Sequence, residues 1–381
     1  MTLGILGVEK KFARPVFLVG VLAVFVCIAS FGATVRAQGV KDLPPPPPAW
    51  KPKPTPTPKP PEEGPLDVVK VTSNLVMVPV SVTDSQGNAV QGLTKSDFRL
   101  IEEGKEQEIT GIGNPEEVPL SIALLFDVSS SVSQKGFFNA QQTAAATFLR
   151  LVMKPADKAA IFTITGDATL VQPLASAQTS AAKMLTIPAA TSAVPTAFYD
   201  TVVAAAKYLE ANSPSNYRRV IVVLSDGDDN FSTMVRDLSR QDATAQLSGK
   251  PVAAGTRASL VDQHHRAVRQ VEQTVQKADA IFYSVNPGGP SVALNVIATR
   301  AEQGMESIAA TTGGTAFVPA SDQDLERVFR QVAAELRGQY LLQYYGNSEA
   351  PAGQFRRIQV TVPARAEAKV RARQGYYPKA K

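Results

Sequence analysis

Asp127, Ser129 and Ser131 follow directly on an uninterrupted apolar run, 122–126, and far downstream a second such run, 220–224, ends in Ser225-Asp226-Gly227. Short continuous apolar runs bounded by polar residues are the pattern of strands buried on both faces. Two such strands lying side by side would deliver carboxylate and hydroxyl oxygens to one place. Oxygen donors of that kind suit Mg²⁺, which takes six oxygens near octahedral geometry and retains water readily. The C-terminal ends of parallel strands are also where doubly wound sheets bind ligands. A D-x-S-x-S pattern alone has a plainer reading, since Asp and Ser beyond a strand commonly cap the following helix.

The elements that would position these residues alternate along the middle of the chain. Strands are predicted at 120–126, 159–164, 168–172, 219–225, 280–285 and 315–318, and helices at 134–153, 197–211, 257–277, 292–311 and 321–337. This alternation predicts an α/β fold with a doubly wound, mostly parallel sheet covered by helices on both faces. Ser321, Asp322 and Asp324 supply a start for the last helix. The Ser-, Gln-, Asp- and Gly-rich stretch 230–256 predicts a loop with at most a short helix. On the flanks, 76–82 alternates in period two and is followed by a turn at 84–88, while 98–102 and 107–112 surround a Glu103-Gly104 turn. The tail offers 340–345, 358–362 and 369–373. Neither flank buries its apolar face well alone, so N- and C-terminal strands are expected to combine into one small β-sandwich beside the central domain.

With 381 residues and 44% hydrophobic content the chain can bury a sizeable core. Its net charge of +5 comes from scattered Lys and Arg, several of them near the N-terminus, and does not form the basic stripe of a nucleic-acid binder. The single cysteine, Cys27, excludes a disulfide framework or a thiolate metal site. Lys10, Lys11 and Arg14 precede an uncharged apolar span, 15–35, and Val35-Arg36-Ala37 before Gln38 has the form of a signal-peptidase site. Residues 1–37 are therefore expected to be a signal peptide or an uncleaved signal anchor, with the remainder extracytoplasmic: periplasmic, at the cell surface or secreted. If uncleaved, 15–35 anchors the chain in the inner membrane. Residues 38–66 form a Pro-rich linker whose richest part favours polyproline II, reaching on the order of 70 Å.

At Asp127-Val128-Ser129-Ser130-Ser131 the sequence resembles the metal-ion-dependent adhesion site (MIDAS) of von Willebrand factor A-type (VWA) domains. The resemblance implies a VWA domain over 117–338 and two further ligands: Thr196, in Pro195-Thr196-Ala197-Phe198-Tyr199-Asp200, and Asp226. The loop before Thr196 lacks the glycines often found there. The implied ligand set is Asp127, Ser129, Ser131, Thr196 and Asp226 around Mg²⁺, with Mn²⁺ or Ca²⁺ as alternatives. Neutral hydroxyl ligands leave such an ion electrophilic, so the implied partner is a protein that offers an acidic residue to it. Outside the centre, 78–84, Glu102-Glu103-Gly104, Thr312-Gly313-Gly314, 340–344 and 370–376 resemble a bacterial VWFA-related family common in acidobacteria. That likeness assigns 67–114 to an N-terminal β unit and 339–381 to C-terminal strands packing with it.

Other candidates are weaker. Asp228-Asp229-Asn230 lacks EF-hand spacing and is expected to be a solvated loop. His264 and His265 are the only histidines, and neighbours on a helix diverge, so neither a zinc site nor a His-based triad is expected. No phosphate-binding glycine loop, dinucleotide fingerprint or nucleophile–base pair is present. The expected function is a non-enzymatic, exported module that binds a protein partner through Mg²⁺. The alternative is an assembly or chaperone-like VWA cofactor of a membrane-associated complex; a metal-dependent hydrolase would need a base the sequence does not supply.

Overall fold

Two strands in which every residue is buried, β5 (Leu120–Asp127) and β8 (Arg218–Leu224), lie at the centre of the molecule. In the computed structural model the described residues are 75–129, 138–192, 194–235, 254–289, 296–321, 323–346 and 351–378. The expected leader, the Pro-rich linker, Ser131 and Asp322 lie outside them. β5 and β8 pair in parallel, and β6 (Lys158–Ile164), β7 (Ala168–Ala175), β9 (Ala280–Val285) and β10 (Ala316–Phe317) extend the sheet in the order β10-β9-β8-β5-β6-β7. All pairs are parallel except β6–β7, which closes one edge antiparallel.

Burial on both faces explains the near-continuous Val, Ile, Leu and Ala composition of these strands. One face carries Ile122, Leu124 and Phe126 and packs on α1 (Phe138–Val152), α2 (Ala177–Met184) and α6 (Gln323–Gly338). The other carries Ala123, Leu125, Ile221 and Val223 and packs on α3 (Phe198–Asn212), α4 (Ala254–Lys277) and α5 (Val296–Thr312). Truncating one of the fully buried leucines to Ala would cost about 2–5 kcal/mol. Asp157 fixes the start of β5, its carboxylate accepting from Leu120 N at 2.7 Å and from Lys154 N at 2.7 Å.

The flanking strands form two four-stranded antiparallel sheets. One has β1 (Leu75–Thr83) between β13 (Lys369–Ala372) and β11 (Tyr340–Tyr345), with β4 (Gly111–Gly113) outside β11. The other orders β14 (Gly375–Tyr376), β12 (Arg356–Thr361), β2 (Arg99–Glu102) and β3 (Lys105–Gln107). Their shared core contains Val78, Val80, Leu100, Leu342, Tyr344 and Ile358. A seam of polar contacts joins this unit to the central domain: Arg371 Nη2 donates to Glu335 Oε1 at 2.6 Å, Arg218 Nη1 to Gln339 Oε1 at 2.9 Å, and Arg373 pairs with Asp279.

Two expectations need correction. The single strand expected at 107–112 is split, because β3 stays in a hairpin with β2 while β4 crosses to the other sheet. The hairpin is set by Glu103 and Gly104, both at positive φ (48° and 79°), as a tight primed turn demands. α2 was not anticipated; its sequence, AQTSAAKM, is too short and too polar to show a helical stripe, although Ser176 caps it by accepting from Thr179 N. The start of α6 agrees in kind with the Ser321–Asp324 reading: Asp324 N donates to Ser321 O at 3.0 Å. Among the described residues no helix is long and apolar enough to cross a membrane.

Candidate metal centre

The register of the sheet brings the two motifs together. Phe126 lies opposite Leu224 in the β5–β8 pair, so the next residues, Asp127 and Ser225, leave the sheet side by side. Ser225 Oγ donates to Asp127 Oδ2 at 2.5 Å, and Ser129 N donates to Asp127 Oδ1 at 2.8 Å, the second an Asx-type turn that curls the loop back over the strand end. Ser225 Oγ in turn accepts from Gly227 N at 2.9 Å. Gly227 has φ +74°, the left-handed region that favours glycine, and a Cβ there would lie 2.7 Å from Met305 Cε, the far end of a flexible side chain that would have to shift.

Thr196 reaches the same end of the sheet from the loop before α3. Its N–H donates to Asn230 Oδ1 at 2.9 Å, and its carbonyl accepts from Asn230 N and Phe231 N at 3.1 and 3.0 Å. The loop is also tied to the β6–β7 turn, where Ala197 N donates to Thr165 O at 2.7 Å. Thr196 is buried. The loop after Asp226 therefore holds the loop carrying Thr196 in place, and does so without glycines before Thr196.

Asp229 is the residue that sequence reasoning missed. The solvated loop expected here is instead folded back on the domain: Asp229 is partly buried and caps α3 from a distance. Its Oδ2 accepts from Tyr199 N at 2.7 Å and from Ser232 Oγ at 2.6 Å; its Oδ1 accepts from Ser232 N at 2.9 Å. Ser232 Oγ also accepts from Asp200 N at 2.9 Å. The orphan N–H groups at the start of α3 are thus satisfied by a segment about thirty residues further on in the chain, which no local capping pattern reveals.

The electrostatics follow from burial. Asp127 is pushed up to about 6, first by loss of solvation, then by the charge of Asp226, against the lowering effect of its hydrogen bonds with Ser129 and Ser225. Asp228 is likewise pushed up to about 6 by burial, then by Asp226 and Asp229. Burial also raises Asp229. Carboxylates crowded in this way disfavour their own ionisation, and a cation among them would reverse the sign of that effect.

Of the five expected ligands, Asp127, Ser129, Thr196 and Asp226 gather at one end of the sheet; Ser131 lies outside the described residues. Among the described residues no three His, Cys, Asp or Glu groups converge to hold a metal ion by themselves. A cation here would depend on two carboxylates completed by hydroxyls and water. That all-oxygen donor set fits a hard divalent ion, and Asp127 keeps lone-pair capacity beyond its hydrogen bonds with Ser129 and Ser225. His264 takes no part: it sits on α4 against Tyr199, whose hydroxyl is 3.4 Å from His264 Nε2, and burial followed by Arg300 depresses it to about 4.

Residues 122–228 match the family described as von Willebrand factor type A domain. No curated protein matches the chain in sequence. Solved structures of similar fold include a von Willebrand factor type A protein from Catenulispora acidiphila, 11% identical with a TM-score of 0.42, the match covering 82% of this chain and 76% of that one. Proximal thread matrix protein 1 from the mussel byssus, solved with zinc in its MIDAS motif, is 13% identical with a TM-score of 0.42, over 61% of this chain and 48% of that one, so the chain spans under half of that protein's length. An aerotolerance-related membrane protein from Bacteroides fragilis is 14% identical with a TM-score of 0.35, covering 56% of this chain and 98% of that one.

Proposed function

We propose that this von Willebrand factor type A domain protein is a non-enzymatic, extracytoplasmic module that binds an acidic protein partner through Mg²⁺ held at the end of β5 and β8. The observation that carries the reading is the convergence of Asp127 with the Asp226 loop and the Thr196 loop, in a site whose carboxylates are too crowded to ionise comfortably without a counter-charge. Asp127 and Asp226 supply the negative charge, directly or through water. Ser129, Thr196 and Ser131 supply neutral oxygens, which leave the bound ion its electrophilic character. An ion held by these residues would supply the electrophile that a carboxylate of the partner meets. The chain's own residues do the positioning: Ser225 and Gly227 fix the Asp127 and Asp226 loops to each other, and Asn230 and Asp229 fix the Thr196 loop to both.

A binding role is the reading we favour over catalysis because the D-x-S-x-S loop, Thr196 and Asp226 together resemble an adhesion-type site, and among the described residues the one partly buried histidine is turned to Tyr199. The extracytoplasmic assignment rests on the basic flank and apolar span of residues 10–35, with the Pro-rich segment as a spacer between that span and the folded domain. Both classes of VWA role, adhesion and complex assembly, are protein–protein interactions, and the site chemistry is common to the two.

Calorimetric titration of the protein with Mg²⁺, Mn²⁺ and Ca²⁺, wild type beside Asp127→Ala, tests the reading. Saturable one-site binding that disappears in the variant is expected. Equal heats in both proteins, or none in either, would remove the metal from the mechanism and with it the acidic partner.

A further inference from the structure

A single exposed apolar side chain is ordinary on a protein surface, but here two of them flank Thr196. Phe231, 37% exposed, is tied to Thr196 through the backbone: its N–H donates to Thr196 O at 3.0 Å and is shared with Asp229 Oδ1 at 3.1 Å. Pro195, also exposed, directly precedes Thr196, and Val194 before it is half-buried. Both rings lie against Gly166 in the β6–β7 turn, where a Cβ would come 3.0 Å from Pro195 Cγ and 3.5 Å from Phe231 Cδ1 and Cε1. The proline standing where glycines are often found thus becomes part of a contiguous apolar patch on the rim of the candidate metal centre.

The segment that presents Phe231 is held from several sides. Asp229 Oδ2 accepts from Tyr199 N, Asn230 Oδ1 accepts from Thr196 N, and Ser232 Oγ accepts from Asp200 N. An aromatic ring placed in this way offers contact area at little further cost in conformational entropy, which is why aromatic side chains serve as anchors in interfaces. The charge around the patch is of one sign: Asp167 is exposed in the turn beside Gly166, and Asp228 is half-buried in the loop after Asp226. A second carboxylate from a partner would be repelled there, whereas an apolar side chain would not.

We propose that Phe231, with Pro195, is the specificity-determining surface of this centre, and that the partner segment it fits carries one acidic residue with a branched apolar or aromatic side chain within two positions of it. The inference rests on the reading of the centre as a Mg²⁺ site for an acidic partner and adds the second half of the recognised element. A bound cation attracts any carboxylate, so discrimination among acidic partners must come from the surface beside it. Two residues of an extended segment span about 7 Å, which carries the chain from a carboxylate at the ion to a side chain packed beside Thr196.

The test titrates acetate, 4-methylpentanoate and glutarate into the full chain at saturating Mg²⁺, followed by ligand-observed NMR, with the same series repeated in EDTA. 4-Methylpentanoate is expected to bind about tenfold more tightly than acetate, the gain from covering a branched alkyl tail on an aromatic face. Glutarate, of similar reach, should stay within about twofold of acetate. Phe231→Ser should abolish the preference and Phe231→Leu should keep it, read as a ratio within each protein. Mg²⁺ affinity by calorimetry should be unchanged in both, since the backbone N–H that holds Thr196 is retained. Failure of the wild type to bind Mg²⁺, or Mg²⁺ binding with no carboxylate bound, would overturn the reading of the centre and this inference with it. Equal binding of acetate and 4-methylpentanoate, glutarate as the tightest of the three, or a preference that survives Phe231→Ser or EDTA would overturn the role of Phe231 alone.

Discussion

Replacing Asp127 by Asn should stabilise the metal-free protein at neutral pH and abolish its response to metal. Asp127 is fully buried, and its pKa rises from the ordinary 3.8 to about 6, chiefly through lost solvation and secondly through Asp226. At about 1.4 kcal/mol per tenfold, that rise corresponds to about 3 kcal/mol. The sign follows from proton linkage. Between pH 4 and 6 the folded protein holds this proton and the unfolded chain does not, so stability from this group is fully present below pH 4, falls as pH rises, and is gone above pH 6. The Asn variant has no such titration. Asp228 titrates near the same pH, but its rise comes from burial, Asp226 and Asp229, so it cancels when the two proteins are compared. Urea unfolding in EDTA at pH 4, 5, 6 and 7 should therefore show the stability of Asp127→Asn minus wild type growing by about 3 kcal/mol across the series. Whatever constant offset the altered hydrogen bonds to Ser129 and Ser225 introduce does not affect that slope. Adding Mg²⁺ at about a hundred times its dissociation constant should then raise wild type by about 2.7 kcal/mol and leave the variant unmoved. A difference that stays flat from pH 4 to 7 would refute the electrostatic reasoning, even if the metal binds.

Further outcomes can be checked with the same instruments. Asp229→Ala removes the remote cap of α3 and should cost about 1–2 kcal/mol of stability, with Mg²⁺ binding weakened in calorimetry because the Thr196 loop loses its anchor. Gly227→Ala combines a left-handed backbone, costing about 1–2 kcal/mol, with the contact to Met305; in a double-mutant cycle with Met305→Ala, itself costly because Met305 is buried, the coupling read from thermal melts should return only the steric part. Glu335→Ala leaves Arg371 buried without its carboxylate and should cost about 3–5 kcal/mol in urea unfolding.

The central sheet was legible because its residues answer to one local rule. Strands covered on both faces must be apolar throughout, and 122–126 and 220–224 announce themselves for that reason. What the sequence could not show is how short strands are shared out between sheets. The 107–112 segment has the composition of one strand, but Gln107 pairs with Leu100 in one sheet while Ile112 pairs with Leu342 in the other. That division is decided by which neighbour each backbone meets. The same holds for β1, which lies between two strands from the far end of the chain; only its alternating valines, not its partners, are written locally.

At the candidate metal centre the distinction is sharper. Asp127, Ser129 and Asp226 are strand-end residues, so finding the strands finds them, and Thr196 follows from the resemblance of its loop. Asp229 is different in kind. Its carboxylate satisfies the first turn of a helix that begins at Phe198, and the only local hint is an acidic residue followed three positions later by Ser232. A run of aspartates after a glycine looks equally like a solvated loop, and the choice depends on whether the segment folds back over α3. Since Asp229 holds α3 and Asn230 holds Thr196, the loop that supplies Asp226 also sets the position of the other ligand loop. Mutations at Asp229 and Asn230 should thus lower metal affinity without touching the ion, and Asp229→Asn, which has one acceptor oxygen where the carboxylate has two, should recover at most the bond to Tyr199 N while its amide NH2 faces the N–H groups of Phe231 and Ser232.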